Sequence, residues 1–490
     1  MNSAGQARRS FLTSFAEKYT LLVINTGGAM VLARLLTPAE VGVYAIGAVL
    51  VGLAQVLRDF GVGPYVIQEK ELTPDKLRAA LATSILVAWL LAACVLLASW
   101  PAARFYREPR LQTVLQWLSL NFVLIPFSAV VLPYLRRRMR FSAIFVINLS
   151  QTVVQLLCTA VMAWRGFGYL SLACGAVAGT LALLLTSLCY RPADMPLRPS
   201  LHGMRAILSF GSLSTAGTVI DEAGVAAPDL IIGKVLGVAD VGIFGKAMGV
   251  INVFNQLVTA AISPVIFPLF SAQARDGGDL RRSYLTTVSY VTALAWPFFG
   301  FVGLMAPALV RVLYGDQWDA AIPLIRIICV ASALYSMFSM ARYLFVAMGA
   351  VGQQARLDAT AVPVRIIAVL AAAPFGLAWV AAAVVLGAVF RSGLTWRALR
   401  LLTGMRLTDL LAALRISAQV TAVSIAGPLA VLLWSPNASA HPLTRLVVAA
   451  LAMFVLWLAA ILVFRHPLAE ECLLAGRKAL TLLFKITRKG

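Results

Sequence analysis

Three arginines stand inside long apolar runs: Arg58, Arg342 and Arg365. A charge at membrane depth costs about 3 kcal/mol on insertion scales, so each is a functional candidate by default. Arg365 lies about ten residues from either end of its run, near the midplane. Arg58 and Arg342 lie nearer the ends, where the aliphatic stem can carry the charged head to the interface. The arginine fork fits two oxygens of one anionic group, so the chemistry on offer is anion binding. Three carboxylates, Asp221, Glu222 and Asp229, share another apolar run. Asp221 and Asp229 are eight apart and fall on one helix face, whereas Glu222 is rotated away towards Thr218. Buried carboxylates must be neutralised or paired, which makes these three candidates for exchanging a proton or Na⁺ in a coupled cycle. Asn252 and Gln256 share a face of the next run, where interhelical hydrogen bonding accounts for them equally well.

Such residues need elements that hold polar groups inside hydrocarbon. The chain has 490 residues, 61% of them hydrophobic and 12% charged, with mean hydropathy +0.87. Soluble domains carry about 25% charged residues. The composition therefore excludes an ordinary soluble enzyme, a disordered chain and a secreted disulfide scaffold. At about 20 residues per span, about 14 transmembrane helices consume nearly the whole length. The expected class is an all-α integral membrane protein. The net charge of +21 reads as basic cytoplasmic loops, and no nucleic-acid partner is expected. The 41 basic residues alternate from loop to loop, roughly 28 against 10 with about 3 in mid-span. The cluster Arg136-Arg137-Arg138 with Arg140 belongs to the basic side, as do both termini. Arg8-Arg9-Ser10-Phe11-Leu12 is then a cytoplasmic end ahead of the first span, not an export signal.

The six cysteines form no C-x-x-C pair, and the three histidines fall in separate connections. No disulfide, metal site or cofactor is expected. The last segment, 467–490, is too polar to span. Its leucines share one face among lysines and arginines, as in a helix lying on an anionic membrane surface or in a solvated tail.

Two segments match at a shift of about 200 positions. Ala33-Arg34-Leu35-Leu36-Thr37-Pro38-Ala39-Glu40-Val41-Gly42-Val43-Tyr44 aligns with Gly233-Lys234-Val235-Leu236-Gly237-Val238-Ala239-Asp240-Val241-Gly242-Ile243-Phe244. Base matches base, acid acid and glycine glycine. Six spans separate the copies, so they are parallel repeats. The expected organisation is two pseudo-symmetric six-helix lobes, 1–203 and 204–400, then two extra spans in 401–466 and the tail 467–490. In such transporters the substrate path lies between lobes that rock against each other.

The residues Leu32-Ala33-Arg34-Leu35-Leu36-Thr37-Pro38, with Glu40, Gly42 and Tyr44, resemble the opening of the polysaccharide-transport, Wzx-like flippases. These belong to the multidrug/oligosaccharidyl-lipid/polysaccharide exporter superfamily. Leu57-Arg58-Asp59-Phe60-Gly61-Val62-Gly63 with Ile67-Gln68, and Asp229-Leu230-Ile231-Ile232-Gly233 with Leu236-Gly237, carry the same resemblance. The chain departs from the family at Ala226-Ala227-Pro228, where polar residues are usual. The resemblance implies a fourteen-helix, two-lobed protein of a bacterial inner membrane. It implies flipping of an undecaprenyl-pyrophosphate-linked oligosaccharide for surface polysaccharide, exopolysaccharide or lipopolysaccharide synthesis, with polysaccharide-assembly proteins as possible partners. Arg365 would then meet the pyrophosphate, with Arg58 and Arg342 on the entry side.

Two rival functions remain at this level. A drug/cation antiporter of the same superfamily should prefer acidic and aromatic pocket residues, and this chain has both signs in its spans. A membrane glycan polymerase or ligase needs a nucleophile–base constellation or a large outer loop, and neither is visible. The expectation is a transporter, not an enzyme.

Overall fold

The computed structural model describes residues 3–59, 61–196, 198–434 and 442–470. Every regular element among them is helical, as hydrocarbon requires of a chain that must satisfy its own backbone. The chain forms two compact units. The first comprises Met1–Lys246 with Leu313–Trp318 and Val369–Leu377. Its helices are α1 (Ser3–Leu35), α2 (Pro38–Asp59), α3 (Val62–Gln68), α4 (Pro74–Tyr106), α5 (Pro109–Leu124), α6 (Pro126–Ala129), α7 (Val131–Arg137), α8 (Phe141–Trp164), α9 (Tyr169–Cys189), α10 (Met204–Val235) and the start of α11 (Val238–Asp276). The second comprises Ala247–Val312, Asp319–Ala368 and Ala378–Gly490. It holds the rest of α11 and most of α12 (Leu280–Leu313), α13 (Ala321–Ser336), α14 (Ala341–Ala347), α15 (Val351–Ala372), α16 (Leu377–Thr403), α17 (Leu407–Trp434) and α18 (Pro442–Val463).

Among the described residues, ten helices are long and apolar enough to cross a membrane, or eleven if the bent pair Pro109–Leu124 and Pro126–Arg137 is one span. The spans expected over 11–36, 204–236 and 241–270 coincide with α1, α10 and α11, which have 33, 32 and 39 residues. These three stand outside the eleven, and each carries charge within its length, including Glu17, Asp229 and Lys246. The fourth span was expected over 111–135, with Pro126 permitting a bend. It bends by 42°, because Pro126 has no N–H to offer the preceding turn. The tail beyond residue 470 lies outside the described residues, as does Asn437 in an expected outer loop.

The duplicated segment has a local structural reason. Thr37 Oγ1 accepts from the Glu40 N–H at 3.3 Å, and Glu40 Oε2 accepts from the Thr37 N–H at 2.8 Å. This is a capping box that starts α2. One turn on, the two copies touch within the first unit. A Cβ on Gly42 would fall on the Val238 carbonyl oxygen, and a Cβ on Gly242 would fall on the Pro38 carbonyl oxygen. Both positions demand glycine because two backbones cross there.

Gly175 and Gly179 do similar work where α9 meets α8. A Cβ on Gly179 would lie 2.7 Å from Gln155 Cβ and 3.1 Å from the Gln151 carbonyl oxygen. This G-x-x-x-G pair lets the two helices approach closely, with Gln155 packed against Gly179. The unit's apolar core, including Val66, Leu81, Leu135, Ile144 and Leu183, ties α3, α4, α7, α8 and α9 together at the end that bears the Arg136–Arg140 cluster.

Candidate functional site

On α2, Tyr44, Ala48, Val51, Gln55 and Arg58 recur at intervals of four and three, so they form one stripe. The stripe runs roughly 21 Å at 1.5 Å per residue. It faces a cavity of about 680 Å³ inside the first unit. Ser84 of α4, Asn121 of α5, Ser128 of α6, Arg136 of α7, Gln151 and Gln155 of α8 and Thr180 of α9 complete its polar lining. Among the described residues no carboxylate lines it.

The three consecutive arginines divide their work. Arg137 closes the end of α3, donating to the carbonyl oxygens of Val66 at 3.1 Å, Ile67 at 3.3 Å and Lys70 at 3.2 Å. Arg138 pairs with Asp194 and lies over the Tyr134 ring at 4.8 Å. The Tyr134 hydroxyl donates to Asp194 at 2.6 Å. That hydrogen bond, helped by Arg138, holds the Asp194 carboxyl below its ordinary range. Arg136 remains for the cavity. As a member of a topogenic cluster it carried no site signal in the sequence. The missed signals are the α2 stripe and the i, i+4 spacing of Gln151 and Gln155.

The cavity amides differ from amides elsewhere. Asn148 donates to Glu17 at 2.6 Å, Gln354 to Asp358 at 2.7 Å and Gln317 to the Leu36 carbonyl at 3.2 Å. Asn121 is only 5% exposed, and its Oδ1 meets no donor among the described residues. An orphaned buried acceptor costs about 1–3 kcal/mol.

The remaining candidates are spread over both units. In the first, Glu222 and Asp229 are half-buried on α10, and the side chain of Asp221 lies outside the described residues. In the second, Arg342 is exposed at the start of α14 and Arg365 is half-buried on α15. The Arg365 stem packs on α16, where a Cβ on Gly387 would lie 3.4 Å from Arg365 Cγ. Two turns away on the same face of α15, Asp358 pairs with Arg391 of α16 at 2.6 Å. Asn252 and Gln256 are exposed on α11. The second unit has a hollow of its own, of about 730 Å³, lined by Asp279, Arg281, Arg282, Thr286 and Ser289 among others. Arg281 pairs with Asp409 at 2.5 Å, and Asp279 accepts the Arg282 backbone N–H at 3.0 Å.

The fold is similar to that of two solved transporters. A lipid II flippase MurJ in an inward closed conformation aligns with a TM-score of 0.75 over 94% of this chain and 100% of that one, at 11% identity. An inward-facing MATE-family multidrug resistance transporter aligns at 0.65 over 78% and 94%, at 14% identity. In sequence, the lipopolysaccharide biosynthesis protein WzxC of Escherichia coli (strain K12) is 27% identical over 65% of each chain. The succinoglycan biosynthesis transport protein ExoT of Rhizobium meliloti (strain 1021) is 23% identical over 62% of each. The matched stretches thus span just under two thirds of these relatives. Residues 31–323 match the family model described as polysaccharide biosynthesis protein. That match covers more than half of the sequence, and the chain belongs to the polysaccharide biosynthesis protein family.

Proposed function

We propose that the protein flips an undecaprenyl-pyrophosphate-linked oligosaccharide from the cytoplasmic to the outer leaflet of a bacterial inner membrane, for export as cell-surface polysaccharide. One observation carries the reading: a large polar cavity at membrane depth is lined by Arg58 and Arg136 and, among the described residues, by no carboxylate. Guanidinium groups replace the water that a pyrophosphate loses on entering a membrane protein. A drug or cation antiporter would need the opposite sign at such a site, so the MATE-like fold does not favour that rival. The kinship with polysaccharide biosynthesis proteins supports the choice.

In this reading the repeats 1–203 and 204–400 are the two moving lobes, both termini are cytoplasmic, and no chemical step is catalysed. Arg365 meets the pyrophosphate near the midplane, with Arg58 and Arg342 on the entry side. Glu222, Asp229 and Asp221 are the groups that would exchange a coupling proton or Na⁺. The test is glycan export in a strain lacking the chromosomal copy, with membrane levels measured in parallel. Arg365→Ala should abolish export at normal protein level, and Arg365→Lys should keep part of it, since lysine retains the charge and loses the fork. Full export by Arg365→Ala would remove this arginine from the substrate path.

A further inference from the structure

We propose that Gln55, Asn121, Gln151 and Gln155 form a sugar subsite in the first unit's cavity, taking the hydroxyl-rich glycan of a lipid-linked saccharide beyond the arginines that meet its phosphates. The inference rests on the flippase reading and adds what that reading lacks, the place where the sugar is recognised.

The argument starts from depth. Gln151 lies ten residues into α8, and Ser84 ten residues into α4, roughly 15 Å from the helix ends on the side of Arg58 and Arg136. Polar side chains at this depth persist when they bond to one another or line a polar cavity. Two hydroxyls of the lining are also bonded to backbone: Thr180 donates to the Ala176 carbonyl at 2.9 Å and Ser128 to the Ile125 carbonyl at 2.9 Å. The amides line the cavity without such bonds. None of the four amide side chains has a hydrogen-bond partner among the described residues, and Asn121 presents a buried, unmatched acceptor.

The kind of ligand follows from donor and acceptor chemistry. A phosphate at neutral pH accepts hydrogen bonds and donates few, so it gains from Arg58 and Arg136 but cannot satisfy Asn121 Oδ1. A sugar hydroxyl both donates and accepts. An amide offers two N–H donors and one carbonyl acceptor, which matches a pair of neighbouring hydroxyls. A lipid carrier's hydrocarbon tail matches neither. A cavity of about 680 Å³ is in the size range of small-ligand sites. Arginines at one end and amides farther in therefore match a molecule that is anionic at its lipid-proximal end and polyhydroxylic beyond it. Gly175 and Gly179 position the glutamines, because α8 can reach its place only against a helix with no side chain there.

The experiment compares two probes on the purified full chain in lipid nanodiscs. One is undecaprenyl pyrophosphate without sugar. The other is the lipid-linked oligosaccharide extracted from a strain that accumulates it when this gene is deleted. Binding of each is followed by native mass spectrometry. The wild-type protein should hold the sugar-bearing lipid about tenfold or more tightly than the bare one. In Gln151→Leu/Gln155→Leu that preference should fall to within about twofold, with bare-lipid binding unchanged as the check on folding. Asn121→Ser, a milder change, should lose part of the preference. A preference that survives the double variant and Asn121→Ser would overturn the sugar subsite and leave the flippase reading intact. If the double variant fails to hold the bare lipid, Asn121→Ser alone decides by the same comparison. Failure of the wild-type protein to bind either probe would instead overturn the flippase reading on which the subsite depends.

Discussion

The cavity of the first unit and the hollow of the second are similar in size and both carry two arginines, yet the described lining of the second includes an acid and that of the first does not. In the second, Asp409 meets Arg281, and Asp279 caps the helix that bears Arg282. Asp409 accepts the Arg406 N–H at the start of α17 while it offsets the Arg281 guanidinium, and Asp279 accepts a backbone N–H at the start of α12. In the first, no carboxylate is among the described lining residues, and beside Arg58 and Arg136 the polar lining consists of neutral amides and hydroxyls. The difference separates two uses of arginine in a membrane protein. A matched arginine contributes to the scaffold, and its removal is felt as lost stability. An arginine that lines a cavity without an acid faces the charge of an incoming anion, and its removal is felt when that ligand arrives.

The largest test of that contrast is to remove both pairs of arginines. Arg58→Ala/Arg136→Ala should lower glycan export at least about a hundredfold with membrane levels near normal, because two charge-assisted hydrogen bonds of about 1.5–3 kcal/mol each are lost. Arg281→Ala/Arg282→Ala should change export by no more than about threefold. Similar losses from the two double variants would erase the distinction.

A smaller effect is expected in the α15–α16 seam. Arg391→Leu leaves Asp358, only 8% exposed, without its cation. Breaking a buried pair costs about 3–5 kcal/mol. The Arg391 side chain is 28% exposed, so about 2 kcal/mol is the expected loss here. Thermal unfolding in detergent measures it, and Arg391→Leu/Asp358→Leu should recover most of it. A double variant no more stable than the single would show that the seam is held by packing alone.

The smallest effect concerns pH. His466, 1% exposed after α18, has Nε2 2.8 Å from Ser289 Oγ, and its Nδ1 accepts the Leu468 N–H at 3.1 Å. Nδ1 therefore carries no proton, and Nε2 donates. Burial holds the imidazole below its ordinary 6.5. The unfolded chain thus takes up the proton first as pH falls. The contribution is complete above about 6.5 and is lost as pH drops through the lower folded value. On acidification from pH 7.5 to 5 the wild-type protein should lose about 1 kcal/mol, the size of one hydrogen bond. His466→Gln should flatten that part of the profile. An unchanged slope in the variant would assign the pH dependence to other groups.

These features were unequally legible in the sequence. Hydropathy marked the helices, since a span must be apolar for its full length. The bend at Pro126 followed from a missing N–H. Arg58 was visible because charge is rare in an apolar run. Arg136 was not, because two neighbouring arginines gave it an ordinary topogenic explanation, and only Arg137 and Arg138 have the scaffold contacts. Gln151 and Gln155 were silent for a different reason. An amide in a span reads the same whether it bonds a neighbouring helix or faces a cavity, and only the position of Gly175 and Gly179 on the adjoining helix decides.

The crossing of Gly42 and Gly242 has a consequence for how the two halves could diverge. Pro38 and Val238, like Gly42 and Gly242, are separated by 200 positions, and each glycine abuts the other copy's carbonyl. The contact is therefore isologous, the reciprocal form made by two identical chains across a two-fold axis. In a fused chain such a contact has no private side. A side chain gained at either glycine strikes the backbone of the other copy, and no second substitution can shrink a carbonyl to make room. At this crossing the halves can drift only by separating, and it lies in the segment where their common spelling is still readable.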